Sequence, residues 1–201
     1  MTATKDRFIE TTSELLEVQG YHATGLKEIV EKSGAPRGSL YYHFPDGKEE
    51  LAAKAIRQSG EAYARSIAKN LKEGRPIAEA VHDFVLNIAD RVEASGFRSG
   101  GPLTAIAMET ATTNQRLNKA CRNAFNQIRE AIKKKLVKDG IDTQQAERLS
   151  QFITASVEGA IILSRTHHSG DPLRLVASQL RFFLKAFQEE NAESTFQRRE
   201  P

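Results

Sequence analysis

The chain has 201 residues and a single cysteine, Cys121. One thiol excludes an intrachain disulfide framework and suits a reducing compartment. With no second cysteine to resolve an oxidised form, Cys121 reads as a small residue at a helix interface rather than a redox sensor. Long apolar runs are also missing. The longest, residues 159–163 (GAIIL), falls far short of the roughly 20 residues that cross a bilayer. The opening stretch MTATKDRFIETTSELL is too polar for a signal peptide. A soluble, cytoplasmic protein is expected. Catalytic signatures are absent as well: there is no nucleophile elbow, no P-loop and no pair of zinc-binding histidines at helical spacing. Gly100 and Gly101 form a lone glycine pair without a phosphate fingerprint. His167 and His168 are adjacent, so they cannot share one helix face, and no carboxylate cluster accompanies them. No enzyme, cofactor or metal site is expected.

Repeats, low-complexity tracts and the period-2 alternation of strands are missing too, whereas period-3.6 patterns run throughout. The expected class is therefore all-α. Hydrophobic residues make up 39% and charged residues 27% of the chain, ordinary values for a globular protein long enough to bury a sizeable core. About nine helices are predicted, over Thr4–Gln19, Leu26–Ser33, Arg37–His43, Lys48–Lys72, Ile77–Ala94, Pro102–Thr112, Asn114–Lys138, Thr143–Thr166 and Asp171–Glu190. Glycine and proline punctuate them, with Gly20 ending the first and Pro36 opening the third. The expected domains are 1–47, a three-helix unit, and 48–190, a larger helical body, followed by a flexible polar tail at 191–201.

The net charge of +3 permits a nucleic-acid partner without announcing one. Residues 1–57 carry eight Lys/Arg against nine Asp/Glu, a balance of −1, so DNA binding there must rest on local placement of charge. The segment LKEIVEKSGAPRGSLYYHF, Leu26 to Phe44, supplies it. It reads as helix, tight turn, helix, and the second helix of such a pair lies in the major groove. No acid occurs from Gly34 to Phe44. Arg37 opens the second helix, where a guanidinium makes a bidentate contact to guanine. Gly38 and Ser39 are small enough to let the backbone approach DNA. Tyr41, Tyr42 and His43 offer donors to phosphates and bases, although they also read as half-buried aromatics at a helix end. Lys48 opens the next helix, where an ammonium and a free helix N-terminus together suit a phosphate.

The stretch YHATGLKEIVEKSGAPRGSLYYHFPDGKEEL resembles the DNA-binding signature of the TetR/AcrR family of repressors. The likeness runs through Gly20, Thr24, Ile29, Gly34, Gly38, Leu40, Tyr41, Tyr42, Phe44, Lys48 and Leu51. Residues 35–39 (APRGS) and 45–48 (PDGK) further resemble the LmrA/YxaF-like subgroup. The resemblance implies that Thr24 caps or precedes the second helix and touches phosphate. It implies that Arg37, Gly38, Ser39 and Tyr42 face bases, that Tyr41, His43 and Lys48 hold phosphates, and that Leu26, Ile29, Leu40 and Phe44 form the core. It also implies a homodimer through the last two helices. Residue pattern points the same way, because the helix around Leu149–Leu163 is apolar around much of its circumference and the last helix carries a stripe from Leu173 to Phe187.

The middle helices are expected to form an effector pocket, since residues 99–111 (SGGPLTAIAMETA) resemble the subgroup's sixth helix. Phe97, Leu103, Ile106, Met108, Phe125 and Phe152 are candidates for its apolar lining, with Glu109 as the one acid able to orient a ligand. Each of these also reads as ordinary core, and Glu109 as a solvated or capping acid. Residues 112–138 carry eight Lys/Arg and one acid, Glu130, which reads as a solvated face or as a second polyanion site. The function expected is a ligand-responsive repressor that binds a palindromic operator as a dimer and is released by a small aromatic or drug-like molecule. The alternatives are a helical small-molecule-binding protein without an operator, a constitutive DNA-binding protein, or an activator.

Overall fold

A computed structural model describes residues 2–71 and 74–197 of the chain. Among these residues the secondary structure consists of nine helices and no strand: α1 Thr2–Ala23, α2 Leu26–Ser33, α3 Arg37–His43, α4 Lys48–Asn70, α5 Ile77–Ala94, α6 Pro102–Thr110, α7 Gln115–Lys138, α8 Thr143–His167 and α9 Asp171–Gln197. The all-α class follows, with every helix start within two residues of the one predicted. Lys72 and residues 198–201 lie outside the described residues. Residues 191–197 of the expected tail continue α9.

The chain forms two compact units. One comprises residues up to Tyr63 together with Gly101–Gln127, and the other comprises Ala64–Gly100 together with residues from Ile128 onward. The expected boundary after residue 47 falls inside the first unit. The start of α4 explains this, since Leu51, Ala52, Ala55 and Ile56 are fully buried there. A Cβ on Gly60 would come within 2.5 Å of the Cβ of Ala124, so α4 and α7 approach closely.

In the first unit, Phe8, Ile9, Leu15 and Leu16 give α1 a buried face. Phe8 meets Phe44 edge-on with ring centroids 6.4 Å apart, and Ile29 and Leu40 close the core beside them. Burying each such side chain contributes about 1.5–3 kcal/mol. Gly20 interrupts α1 with φ 77° and ψ −176°, a conformation open in practice only to glycine. The expected helix end at Gly20 is therefore a break followed by one further turn.

In the second unit, α5 buries Ile77, Val81, Phe84, Val85, Ile88 and Val92. α9 packs along α5 and buries Leu173, Ala177, Leu180 and Leu184. Ion pairs fix the two helices antiparallel. Glu79 near the start of α5 meets Arg181 at 3.0 Å and Lys185 at 2.7 Å, while Glu93 near its end takes both arms of Arg174 at 2.7 and 2.6 Å. These exposed pairs set register more than they add stability. Asp142 caps α8, its carboxylate accepting from the backbone N–H groups of Gln144 and Gln145 at 2.8 and 3.2 Å. The buried Lys135 donates to the Arg75 carbonyl at 2.8 Å and pairs with Asp139 at 2.6 Å, pinning the end of α7.

Candidate nucleic-acid interface

The presentation of α3 begins with the turn before it. Gly34 closes α2 in the left-handed conformation, its N–H bonded to the Glu31 carbonyl. Pro36 then precedes α3 with extended backbone. Arg7 on α1 donates to the Ser33 carbonyl, tying this turn to α1. The Ser33 hydroxyl accepts from the Ala35 N–H at 3.3 Å. On the inner side of α3, Leu40 is buried. On its outer side Arg37, Gly38, Tyr41 and Tyr42 are exposed, Tyr41 by 55% and Tyr42 by 69%.

Ser39 is half-buried, and its hydroxyl donates to the Pro36 carbonyl at 2.6 Å. His43 is half-buried with its ring edge-on to Tyr42 at 5.1 Å. The acid-free surface expected of a groove-reading helix is thus brought together on one short element. Two exposed tyrosine rings forgo the hydrophobic gain that burial of aromatics supplies. Leu26, expected in the core, is instead half-buried. With Val30, Arg37, Leu40 and Tyr41 it lines a surface groove of about 230 Å³ between α2 and α3.

Two expected phosphate holders, Thr24 and the N-terminus of α4, are revised. Thr24 is only 1% exposed, and its hydroxyl donates to the Gly20 carbonyl at 2.6 Å. It braces the break in α1, and Gly25 rather than Thr24 precedes α2 without a side-chain cap. The N-terminus of α4 is not a free anion cradle either. Glu49 and Glu50 occupy its first turn, and Glu50 accepts from the Asp46 N–H at 3.1 Å. The Lys48 ammonium remains available in part: it lies 4.2 Å above the Tyr21 ring, a cation–π contact. Burial lowers its pKa and the Glu109 carboxylate opposes that shift.

The expected effector lining is divided between the two compact units. Leu103 and Ile106 are buried on α6 and Phe125 is half-buried on α7, all in the first unit. Met108 is 75% exposed on α6, pointing away from that core. Glu109 is engaged with the backbone: its Oε2 accepts from the N–H of Tyr21 at 2.9 Å and of His22 at 2.8 Å. These are donors that the break at Gly20 leaves without helical partners.

Phe97 belongs to the second unit, at φ 63° with its ring 5.3 Å from that of His168. Phe152, also in that unit, is half exposed on α8 and faces Phe183 on α9 at 5.6 Å. Phe183 in turn stacks on Phe187 at 6.2 Å. Leu163, Leu175 and Phe182 are exposed as well. Sequence reasoning missed the bracing by Arg7 and the partners of Glu109, because groups 26 and 88 residues apart leave no local signal. It missed the bond from Thr24 to Gly20, four residues away, because the break in α1 that turns this hydroxyl inward reads in the sequence as a helix end.

A short helix held behind a left-handed turn, its outer face cationic and aromatic and its inner face buried, defines a helix-turn-helix DNA-binding protein. Residues 8–55 match the family model for bacterial regulatory proteins of the tetR family, and residues 77–179 match the model for the C-terminal domain of LmrA/YxaF-like transcriptional regulators. The chain belongs to the TetR family of bacterial transcriptional regulators, in its LmrA/YxaF-like branch.

It is 36% identical to the uncharacterised HTH-type transcriptional regulator YxaF of Bacillus subtilis, across 88% of this chain and 92% of that protein. It is 32% identical to the HTH-type transcriptional regulator LmrA of the same organism, across 90% and 96%. Among solved structures, a TetR transcriptional regulator from Chloroflexus aurantiacus superposes with a TM-score of 0.74 at 25% identity, covering 90% of this chain and 94% of that one. Reduced NemR from E. coli shares the fold, with a TM-score of 0.75 at 18% identity over 89% and 96%. The YxaF, LmrA and Chloroflexus aurantiacus relatives are regulators of transcription, not enzymes. Among the described residues no helix is long and apolar enough to cross a membrane.

Proposed function

We propose that this TetR-family regulator is a cytoplasmic repressor that binds a palindromic operator as a homodimer and releases it when a small, aromatic or drug-like molecule binds its body. The observation that carries the reading is the outer face of α3, where Arg37, Tyr41 and Tyr42 stand exposed with no acid from Gly34 to Phe44. In this reading Arg37, Gly38, Ser39 and Tyr42 read base edges, while Tyr41, His43 and Lys48 hold phosphates.

Dimerisation is supported by the outward apolar face of α8 and α9. Phe152, Leu163, Leu175, Phe182 and Phe183 are each at least 42% exposed, a costly patch for a monomer. A two-fold pairing there makes an isologous interface and sets two recognition helices on successive major-groove turns. Phe152 is accordingly assigned to the interface rather than to an effector site. The effector lining retained is Leu103, Ile106 and Phe125, apolar side chains on α6 and α7 that are at least half buried. Release is a population shift carried by α4, a helix that begins in one compact unit and ends in the other.

The test is selection of bound fragments from randomised duplex DNA, followed by a compound screen for release of the winning duplex. Recovery of a two-fold site and displacement by an aromatic or drug-like compound are expected. A folded, ligand-free dimer that enriches no sequence at low salt would overturn the operator reading. Enrichment with no compound able to release it would leave a constitutive DNA-binding protein.

A further inference from the structure

We propose that the groove at the start of α7 is a second phosphate-binding surface, which holds the backbone of the operator beyond the reach of α3. The proposal rests on the operator reading above and adds a contact to it. The groove, about 550 Å³, lies on the surface of the same compact unit as α3. Its walls are Thr112, Gln115, Arg116, Asn118, Lys119 and Arg122. Ala111 is its one apolar lining residue and no carboxylate lines it. Such walls offer little to an apolar ligand and suit an anion with several acceptor oxygens.

Arg116 is held by acids outside the groove. Its guanidinium lies 2.7 Å from Asp46 and 4.0 Å from Glu49, and Glu50 is close enough to help raise its pKa. Lys119 and Arg122 are exposed and have no carboxylate partner among the described residues; Arg122 is oriented by the neutral Asn118 amide at 3.2 Å. Cations at three-residue spacing repel one another. Arg116, in the first turn of α7, also opposes the helix dipole, and no acid lies in that turn. The folded protein therefore carries an unfavourable cluster that an external anion would relieve.

Two features favour a nucleic-acid backbone over a free anion. The cations run along about 9 Å of helix from Arg116 to Arg122, a strip rather than a point. Through Asp46, Arg116 is also bonded to the turn that joins α3 to α4, between the recognition helix and Lys48. The first backbone N–H groups of α7 are not the site, since Asn114 already caps Leu117 at 2.9 Å.

The test compares the full-length wild type with Lys119→Gln/Arg122→Gln and with a charge-matched control, Lys69→Gln/Lys134→Gln, on two duplexes. One duplex is trimmed to the selected half-sites, and the other is extended by about ten base pairs, one helical turn, at each end. Affinity is measured across a salt series. On the extended duplex, the slope of log K against log salt should shrink by about 3.6 for the groove variant, about 0.9 for each of the four phosphates that the two protomers no longer neutralise. It should not change for the control, nor for the groove variant on the trimmed duplex. Equal loss in both variants would show net charge alone at work and overturn the proposal. An unchanged slope would overturn it too. In that case, inorganic phosphate shifting the Arg122 side-chain NMR resonance would identify a free-anion site instead. A wild type that binds no selected duplex is a different result, which overturns the operator reading itself.

Discussion

Removing the Glu109 carboxylate should loosen the end of α1. The side chain accepts two backbone N–H groups on one oxygen, at 2.9 and 2.8 Å. A hydrogen bond to a charged group is worth about 1.5–3 kcal/mol net. The His22 N–H is on the surface and can be rehydrated, so the pair together should contribute about 2 kcal/mol rather than the full sum. Glu109→Ala is therefore expected to lower stability by about 2 kcal/mol, or roughly 4–8 °C in Tm for a chain of this size. Glu109→Gln keeps a neutral acceptor and should lose about half as much. Urea unfolding followed by circular dichroism gives the global figure. Amide hydrogen exchange gives the local one, with faster exchange at Tyr21 and His22 as the signature. If neither the midpoint nor those two amides change, the bracing role is wrong. A carboxylate reserved for an effector would instead alter compound affinity with stability intact.

Further outcomes follow from the same geometry. Thr24→Val should cost about 1 kcal/mol of stability by deleting the bond to the Gly20 carbonyl while leaving DNA affinity intact; a weakened complex from an equally stable variant would restore a phosphate role. Phe183→Arg should convert dimer to monomer in sedimentation experiments, and an unchanged sedimentation coefficient would remove α9 from the interface. Burial pushes the Cys121 thiol up to about 11, so at pH 8 about a thousandth is thiolate, against about a quarter for an unperturbed thiol. Native protein should react slowly with a thiol reagent and unfolded protein quickly. Arg174 and the Gly170 N–H hold the Glu93 carboxyl below its ordinary 4.5. The stability this pairing contributes is present above pH 4.5 and is lost as pH falls through the depressed value. Glu93→Gln should flatten the acid limb of the unfolding curve, and an unaltered limb would discount the pairing.

Helix boundaries were largely legible because their signals are local. Gly34 and Pro36 mark the turn between α2 and α3, and Pro36 precedes the start of α3. The recognition face was legible too, since α3 is short and its buried residue, Leu40, fixes which side turns outward. The apolar stripe of α9 was legible only as one stripe. In the structure it divides, with Leu173, Ala177, Leu180 and Leu184 packed inward and Phe182 and Phe183 outward. Periodicity measures how much of a helix is apolar but does not say which partner covers it. Long-range polar contacts were not legible at all. Nothing around residue 109 says that its carboxylate meets Tyr21 and His22. The bond from Thr24 to Gly20 is local, but it depends on the backbone break at Gly20, which periodicity does not show.

The central claim is that two copies of α3 read one operator, with Arg37 at base edges. The most direct test is hydroxyl-radical footprinting of a selected duplex by wild type and Arg37→Ala. The account predicts two protected patches related by a two-fold axis, with centres about 34–36 Å apart or a multiple of that. It also predicts that Arg37→Ala weakens the complex by about 1–3 kcal/mol per half-site and relaxes preference at the contacted base pair of each. A single protected patch, or a footprint and affinity that Arg37→Ala leaves unchanged, would contradict it.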